Sequence, residues 1–198
     1  MSCGRSSWRA MTVAGWLSVA AAAVSLDAAG SDRVTVQPST SPTTVVRTSP
    51  IEITVRRRFA APPADVFAAL TRPELLRRWM SAAGRDLVET EVDARTGGRF
   101  RYVFRSSSGR TFGMYGDYRE VVPGKRIVHT EAYDGYDWEP LVTTTVLDEE
   151  AGGTALIMTI RYPSEKICDT DFPNIKDATA DGFTRLDALL AGGIANMM

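Results

Sequence analysis

The chain has 198 residues, 44% of them hydrophobic and 24% charged, with a formal net charge of −1. This is the profile of an ordinary globular domain, not of a disordered, collagenous or multi-span membrane chain, and its near-neutral balance excludes nucleic-acid binding driven by bulk charge. Two cysteines, Cys3 and Cys168, exclude a disulfide scaffold or a cysteine-rich zinc site, and a lone histidine, His129, excludes a multi-histidine metal centre; neither a metal nor a cofactor is expected.

The first fifty residues differ from the rest. Arg5 and Arg9 precede an uncharged run from Ala10 to Leu26, and the small residues Ala28, Ala29 and Gly30 follow it. That order matches a secretory signal peptide. The run is shorter than the ~20 residues a spanning helix needs, so no stable membrane span is expected. The same composition also arises where a gene start is placed too early in GC-rich DNA. Residues 1–30 therefore read as a signal-peptide-like or miscalled leader, with a cytoplasmic location expected unless the leader is a real export signal. Residues 31–50 read as a flexible linker, because Gln37 to Pro50 is rich in Ser, Thr and Pro and buries too little apolar surface to offset its ordering entropy. Residues 51–198 read as the domain.

From Ile51 the pattern changes. Ile51, Ile53 and Val55 alternate with polar residues and Phe59 closes a strand. Pro62-Pro63 opens a helix with Val66, Phe67 and Leu70 on its apolar face. Thr71-Arg72-Pro73-Glu74 has the form of a capping box before a second short helix carrying Leu75, Leu76 and Trp79. Six strands follow, each bounded by turn signals: Asp86 to Val92, Arg99 to Arg105, Thr111 to Val122, Arg126 to Tyr133, Leu141 to Leu147 and Thr154 to Tyr162. Short connections imply antiparallel neighbours, about seven strands in one curved sheet. Ile175, Ala178, Gly182, Phe183, Leu186, Leu189 and Leu190 recur at helical spacing, and Gly192-Gly193 is a fitting stop. Pro173 argues against an uninterrupted helix from Ser164. The fold class is α+β: a curved antiparallel sheet around one long C-terminal helix, with a space between them suited to an apolar ligand.

Four segments carry a resemblance: APPADVFAALTRPELLRRWM (61–80), GGRFRYVF (97–104), GDYREVVPGKRIVHT (116–130) and DGFTRLDALLA (181–191). Together they resemble the START-like, or SRPBCC, superfamily with its helix-grip fold, in the branch named for the activator of 90-kDa heat-shock protein ATPase homologues. The resemblance spans nearly all of residues 51–195. It implies a pocket for a hydrophobic small molecule or lipid. In some relatives, such as aromatase/cyclases, that pocket does chemistry; in eukaryotic relatives the domain belongs to a chaperone activator with a separate N-terminal docking domain. Residues 1–50 are too short and too apolar to be that domain, so a chaperone partner stands last among the readings.

Alternation selects the residues that would line such a pocket. With Arg99, Arg101 and Arg105 outward, Phe100, Tyr102 and Phe104 face inward. Phe112, Met114, Gly116 and Tyr118 share a face on the next strand, Ile127, His129, Glu131 and Tyr133 on the one after, and Leu156, Met158 and Ile160 on the last. Phe183 and Leu186 cap this surface, with Trp79 at its rim. Rings and methionines at strand spacing are in the first instance core. His129 and Glu131 are the chemical candidates: two apart on a strand, they project together, and an imidazole base beside a carboxylate suits a cyclase or dehydratase. A slip of one residue would turn both to the wet face. The basic run Arg56-Arg57-Arg58 reads as a solvated strand end, and Asp169, Asp171 and Asp177 lack the glycine and glutamate of a calcium loop. The adopted reading is ligand binding with no assigned reaction. The alternatives are an enzyme using His129 and Glu131, and a chaperone-accessory module.

Overall fold

The computed structural model describes residues 42–194. The leader and residues 31–41 of the expected linker lie outside these. The elements in chain order are β1 (Thr44–Ser49), β2 (Glu52–Phe59), α1 (Pro63–Thr71), α2 (Pro73–Met80), β3 (Arg85–Val92), β4 (Arg99–Ser106), β5 (Thr111–Val122), β6 (Arg126–Tyr133), β7 (Leu141–Glu150), β8 (Gly153–Arg161) and α3 (Glu165–Ala191). The eight strands form one antiparallel sheet in the order β1-β2-β8-β7-β6-β5-β4-β3, and the helices cover its inner face.

Four local expectations meet a different outcome. Thr44–Ser49, assigned above to the flexible linker, is strand β1, so the sheet has one strand more than expected. Every other residue of β1 is half-buried, Val45 packs on the core, and Arg47 forms ion pairs with Asp169 and Glu165 at the start of α3. Pairing with β2 across a tight hairpin, together with these contacts to α3, orders a segment whose own composition does not. Helix α3 runs unbroken through Pro173. A proline inside a helix costs about 3 kcal/mol, but Pro173 is exposed, and its two flanks are held by Cys168 and Phe172 on one side and Phe183, Leu186 and Leu190 on the other.

The expected capping box is not made. Thr71 is the last residue of α1 and its hydroxyl donates back to the Phe67 carbonyl at 2.7 Å. Arg72 occupies the N-cap of α2 with φ −88° and ψ 125°, the extended conformation imposed on a residue before proline. Nor is the basic run wholly solvated. Arg57 points inward from β2 and pairs with Asp187 of α3, both side chains 8% exposed.

Three apolar clusters hold the layers together. One joins Val55, Phe59, Leu147 and Leu156 of the sheet to Val66 and Leu75 and to Phe183, Leu186 and Leu190 of α3. A second joins Leu87, Phe100, Tyr102, Phe104, Tyr118 and Ile127 to Leu76 of α2. The third places Ile53, Leu141, Ile160 and Tyr162 under Cys168, with Phe172 and Ile175 beside them. Each fully buried large apolar side chain contributes about 1.5–3 kcal/mol. This architecture is the helix-grip fold.

Candidate functional site

Helix α3 leans on one half of the sheet. It packs on β1 and β2 and against α1 and α2, and the aromatic cluster of β3 to β6 is covered by α1 and α2 instead. Toward the β6–β7 loop the inner faces of β5 and β6 are therefore only partly covered. Met114 and Tyr133 are half-buried, and Phe112 is 41% exposed while stacking on Phe104 at 4.9 Å. This half-buried strip of β5 and β6, beside the cluster on which Tyr133 packs together with Phe172 and Ile175 of α3, is termed the trough.

A polar seam runs along the trough. His129, Glu131 and Tyr133 stand on one face of β6, and this is the inner face: the His129 ring meets Phe100 edge-on at 5.3 Å and Tyr118 at 6.0 Å. Cross-strand register sets Tyr118 and Thr143 on either side of His129. The imidazole and the carboxylate are 18% and 16% exposed, with Nε2 and Oε2 3.7 Å apart, beyond hydrogen-bond length. The other carboxylate oxygen accepts from the Tyr133 hydroxyl. Tyr162, just after β8, donates to Asp171 Oδ2 of α3 at 2.7 Å, and Tyr102 is hydrogen-bonded to Tyr118.

The electrostatics follow from burial. Desolvation raises the pKa of Tyr133 and Tyr102 well above the ordinary phenol value, and the nearby Glu131 charge adds to both. Tyr118 is pushed up to about 12, chiefly by burial. Burial and the Asp171 charge raise Tyr162. Asp171 is itself raised, by burial first and then by the Glu131 charge, against the Tyr162 hydrogen bond that lowers it. The phenols therefore stay protonated across the physiological range and act as donors, not bases. Two buried polar atoms of the seam have no partner among the described residues: His129 Nδ1 and Thr143 Oγ1, the latter on a residue 3% exposed. Such an orphan costs about 1–3 kcal/mol, and two of them in one cross-strand pair call for an explanation.

Of the residues singled out in the sequence, Tyr102, Met114, Tyr118, His129, Glu131 and Tyr133 come together here, and Phe104 with Phe112 forms the trough's aromatic end. Phe183 and Leu186 lie in the first core cluster, where Leu186 is 0% exposed. Trp79 bridges the first cluster and the aromatic second one, and its Nε1 donates to the Ala69 carbonyl at 2.9 Å. Met158 lies between the first and third clusters. The space beneath the C-terminal half of α3 is thus filled by the protein's own side chains. Gly182 holds the Trp79 ring, whose Cζ3 would lie 3.6 Å from an added Cβ, so close helix packing accounts for it. Two surface concavities lie elsewhere, one along β1, β2, β8 and the end of β7, the other beside Arg78, Arg185, Ala188 and Leu189.

Sequence reading missed Thr143, Tyr162 and Asp171. The alternation of Leu141, Thr143, Thr145 and Leu147 marks one face of β7, but nothing local makes a threonine on that face part of a site. Asp171 was weighed only as a calcium ligand. Among the described residues no group of three or more His, Cys, Asp or Glu side chains could hold a metal ion, and no helix is long and apolar enough to cross a membrane.

Comparison with known proteins gives the family and agrees with the fold. A family model described as activator of Hsp90 ATPase homolog 1-like protein matches residues 60–191. A crystal structure of a Rhodobacter sphaeroides protein is 31% identical with a TM-score of 0.73, the match covering 77% of this chain and 99% of that one. One from Chromobacterium violaceum is 28% identical with a TM-score of 0.65, covering 72% and 99%. A Mycobacterium smegmatis protein at 20% identity and a TM-score of 0.68, covering 75% and 97%, shares the fold. A search of curated proteins found no match.

Proposed function

The chain belongs to the family of activator of Hsp90 ATPase homolog 1-like proteins, and from that membership and the geometry of the trough we propose that it binds a hydrophobic small molecule or lipid carrying a polar group. The apolar body lies against Phe112 and Met114, above the buried rings of Tyr102 and Phe104, and the polar group meets the seam of His129, Glu131, Tyr133 and Thr143. The observation that carries this reading is the pair of buried, unpartnered atoms, His129 Nδ1 and Thr143 Oγ1, in neighbouring register on the inner face. The two are a cross-strand pair, so one ligand hydroxyl or carbonyl satisfies both.

The test is native mass spectrometry of the purified full chain, followed by denaturation to identify anything released, with Thr143→Val beside the wild type. A discrete bound amphiphile is expected, together with weaker retention and a more stable free protein in Thr143→Val. An empty wild-type protein that also fails to bind an apolar fluorescent probe would overturn the reading.

A second reading has one observation in its favour. His129 and Glu131 stand side by side on β6 with Tyr133 on the far carboxylate oxygen, an arrangement that suits a cyclase or dehydratase step once a substrate draws the pair together. Turnover lost in His129→Ala with folding intact would support it. A chaperone-accessory role, suggested by the family description, predicts stimulation of a chaperone ATPase at excess protein.

A further inference from the structure

At the β3 edge of the trough the guanidinium of Arg85 lies over the face of Phe104, with Cζ 5.1 Å from the ring centroid. The ring of Phe112 stacks on Phe104 as well, at 4.9 Å, so Phe104 is flanked by a cation from β3 and an aromatic ring from β5. Arg85 is half-buried, and its Nε, shielded from solvent, makes no hydrogen bond among the described residues. A second guanidinium, Arg185 of α3, is close enough to depress the pKa of Arg85, an effect that adds to the larger one of burial. The carboxylate whose charge reaches Arg85 is that of Asp181, and Arg185 Nη1 already holds it. Arg185 is anchored further by its Nε, which donates to the Trp79 carbonyl at 2.8 Å. Arg85 itself thus makes no ion pair among the described residues, at a half-buried place beside an aromatic surface.

A half-buried cation with a free donor is costly unless something pairs with it. The fork of a guanidinium fits the two oxygens of a carboxylate, and the cation–ring contact with Phe104 holds this one in place. We propose that Arg85 is the acid-recognising residue of the trough, and that the ligand is an amphipathic organic acid whose carboxylate docks on the Arg85 guanidinium while its apolar body lies along the exposed ring of Phe112 and along Met114. The proposal rests on the ligand-binding reading and narrows it: the seam around His129 receives any second polar group, and Arg85 reads the acid.

Isothermal titration of the full chain with dodecanoate and with dodecanol, at a pH where the acid is ionised, separates the two claims. Wild type is expected to take dodecanoate at least about tenfold more tightly, the scale of one charge-assisted contact. Arg85→Met is expected to abolish that preference and leave dodecanol affinity within about twofold. Arg85→Lys keeps the charge without the fork and is expected to lose part of the preference. A wild type that takes both compounds equally, or variants that keep the full preference, would overturn the role of Arg85 while leaving ligand binding intact. Failure of both compounds to bind wild type would remove the ligand-binding reading itself, and this inference with it.

Discussion

Replacing Asp187 by Leu isolates the buried contact between β2 and α3. The Arg57 and Asp187 side chains are each 8% exposed and joined through Nη2 and Oδ2. Arg57 Nη1 also donates to Thr43 Oγ1 at 3.2 Å, but its Nε has no partner among the described residues. Burial already pulls the Arg57 pKa below the ordinary value of 12.5. Near neutral pH the guanidinium stays charged, so Asp187→Leu leaves a cation inside the grip with one weak neutral acceptor. Removing one member of such a pair costs about 3–5 kcal/mol, against about 0–1 kcal/mol for an exposed pair. For a domain of ~150 residues that is a fall in Tm of roughly 10 °C. The double variant Arg57→Met/Asp187→Leu replaces both charges with apolar groups and is expected to equal or exceed wild-type stability. Urea denaturation followed by circular dichroism at neutral pH measures all three. A single variant losing less than about 1 kcal/mol, or a double variant as unstable as the single, would refute the claim that the pair is desolvated.

Gly182→Ala should raise stability by about 0.5–1 kcal/mol through helix propensity, because the added methyl meets Trp79 Cζ3 at an ordinary 3.6 Å; a loss in a thermal melt would mean that α2 and α3 pack too tightly to give. Ala151 is the described non-glycine residue with positive φ, at 45°, beside Gly152 at 77° in the β7–β8 turn. Asn there suits the left-handed pair, and Ala151→Asn is expected to gain about 0.5–1 kcal/mol in the same assay, with a lower Tm counting against the turn assignment. Asp171 has a folded pKa raised above its ordinary 3.8, mainly by burial. The folded state then holds its proton more tightly than the unfolded one, so stability falls as pH rises from the ordinary value through the raised one. Asp171→Asn should flatten that part of the stability profile and stabilise the protein at neutral pH, while an unchanged slope in urea titrations across the window would show that another group sets it.

Much of the fold follows from short-range pattern. Strict alternation between glycine or proline turns sets β5 at Thr111–Val122 and β6 at Arg126–Tyr133, the bounds expected from the residues alone. Prolines at 63 and 73 open α1 and α2, and Gly192-Gly193 ends α3, with Gly193 at φ 75°. The site residues were legible to the same depth. Period-two alternation put Tyr102, Tyr118, His129, Glu131 and Tyr133 on common faces, but which face was the inner one hung on a register that local pattern does not set.

The sequence by itself thus determined the α+β class, the order of the elements from β2 onward and the sets of residues that share a face, because these depend on backbone periodicity and on turn chemistry within a few residues; the helix-grip fold was what the family resemblance implied. Only the tertiary structure decided the rest. It turned His129 and Glu131 inward, drew Asp171 and Tyr162 into the seam, buried Arg57 against Asp187 and carried α3 through Pro173. It also made a strand of Thr44–Ser49 and set Arg85 over Phe104. Each of these outcomes is a balance between a local preference of one to three kcal/mol and contacts with partners far away in the chain. The energy of those contacts exists only once the sheet has closed around the helix.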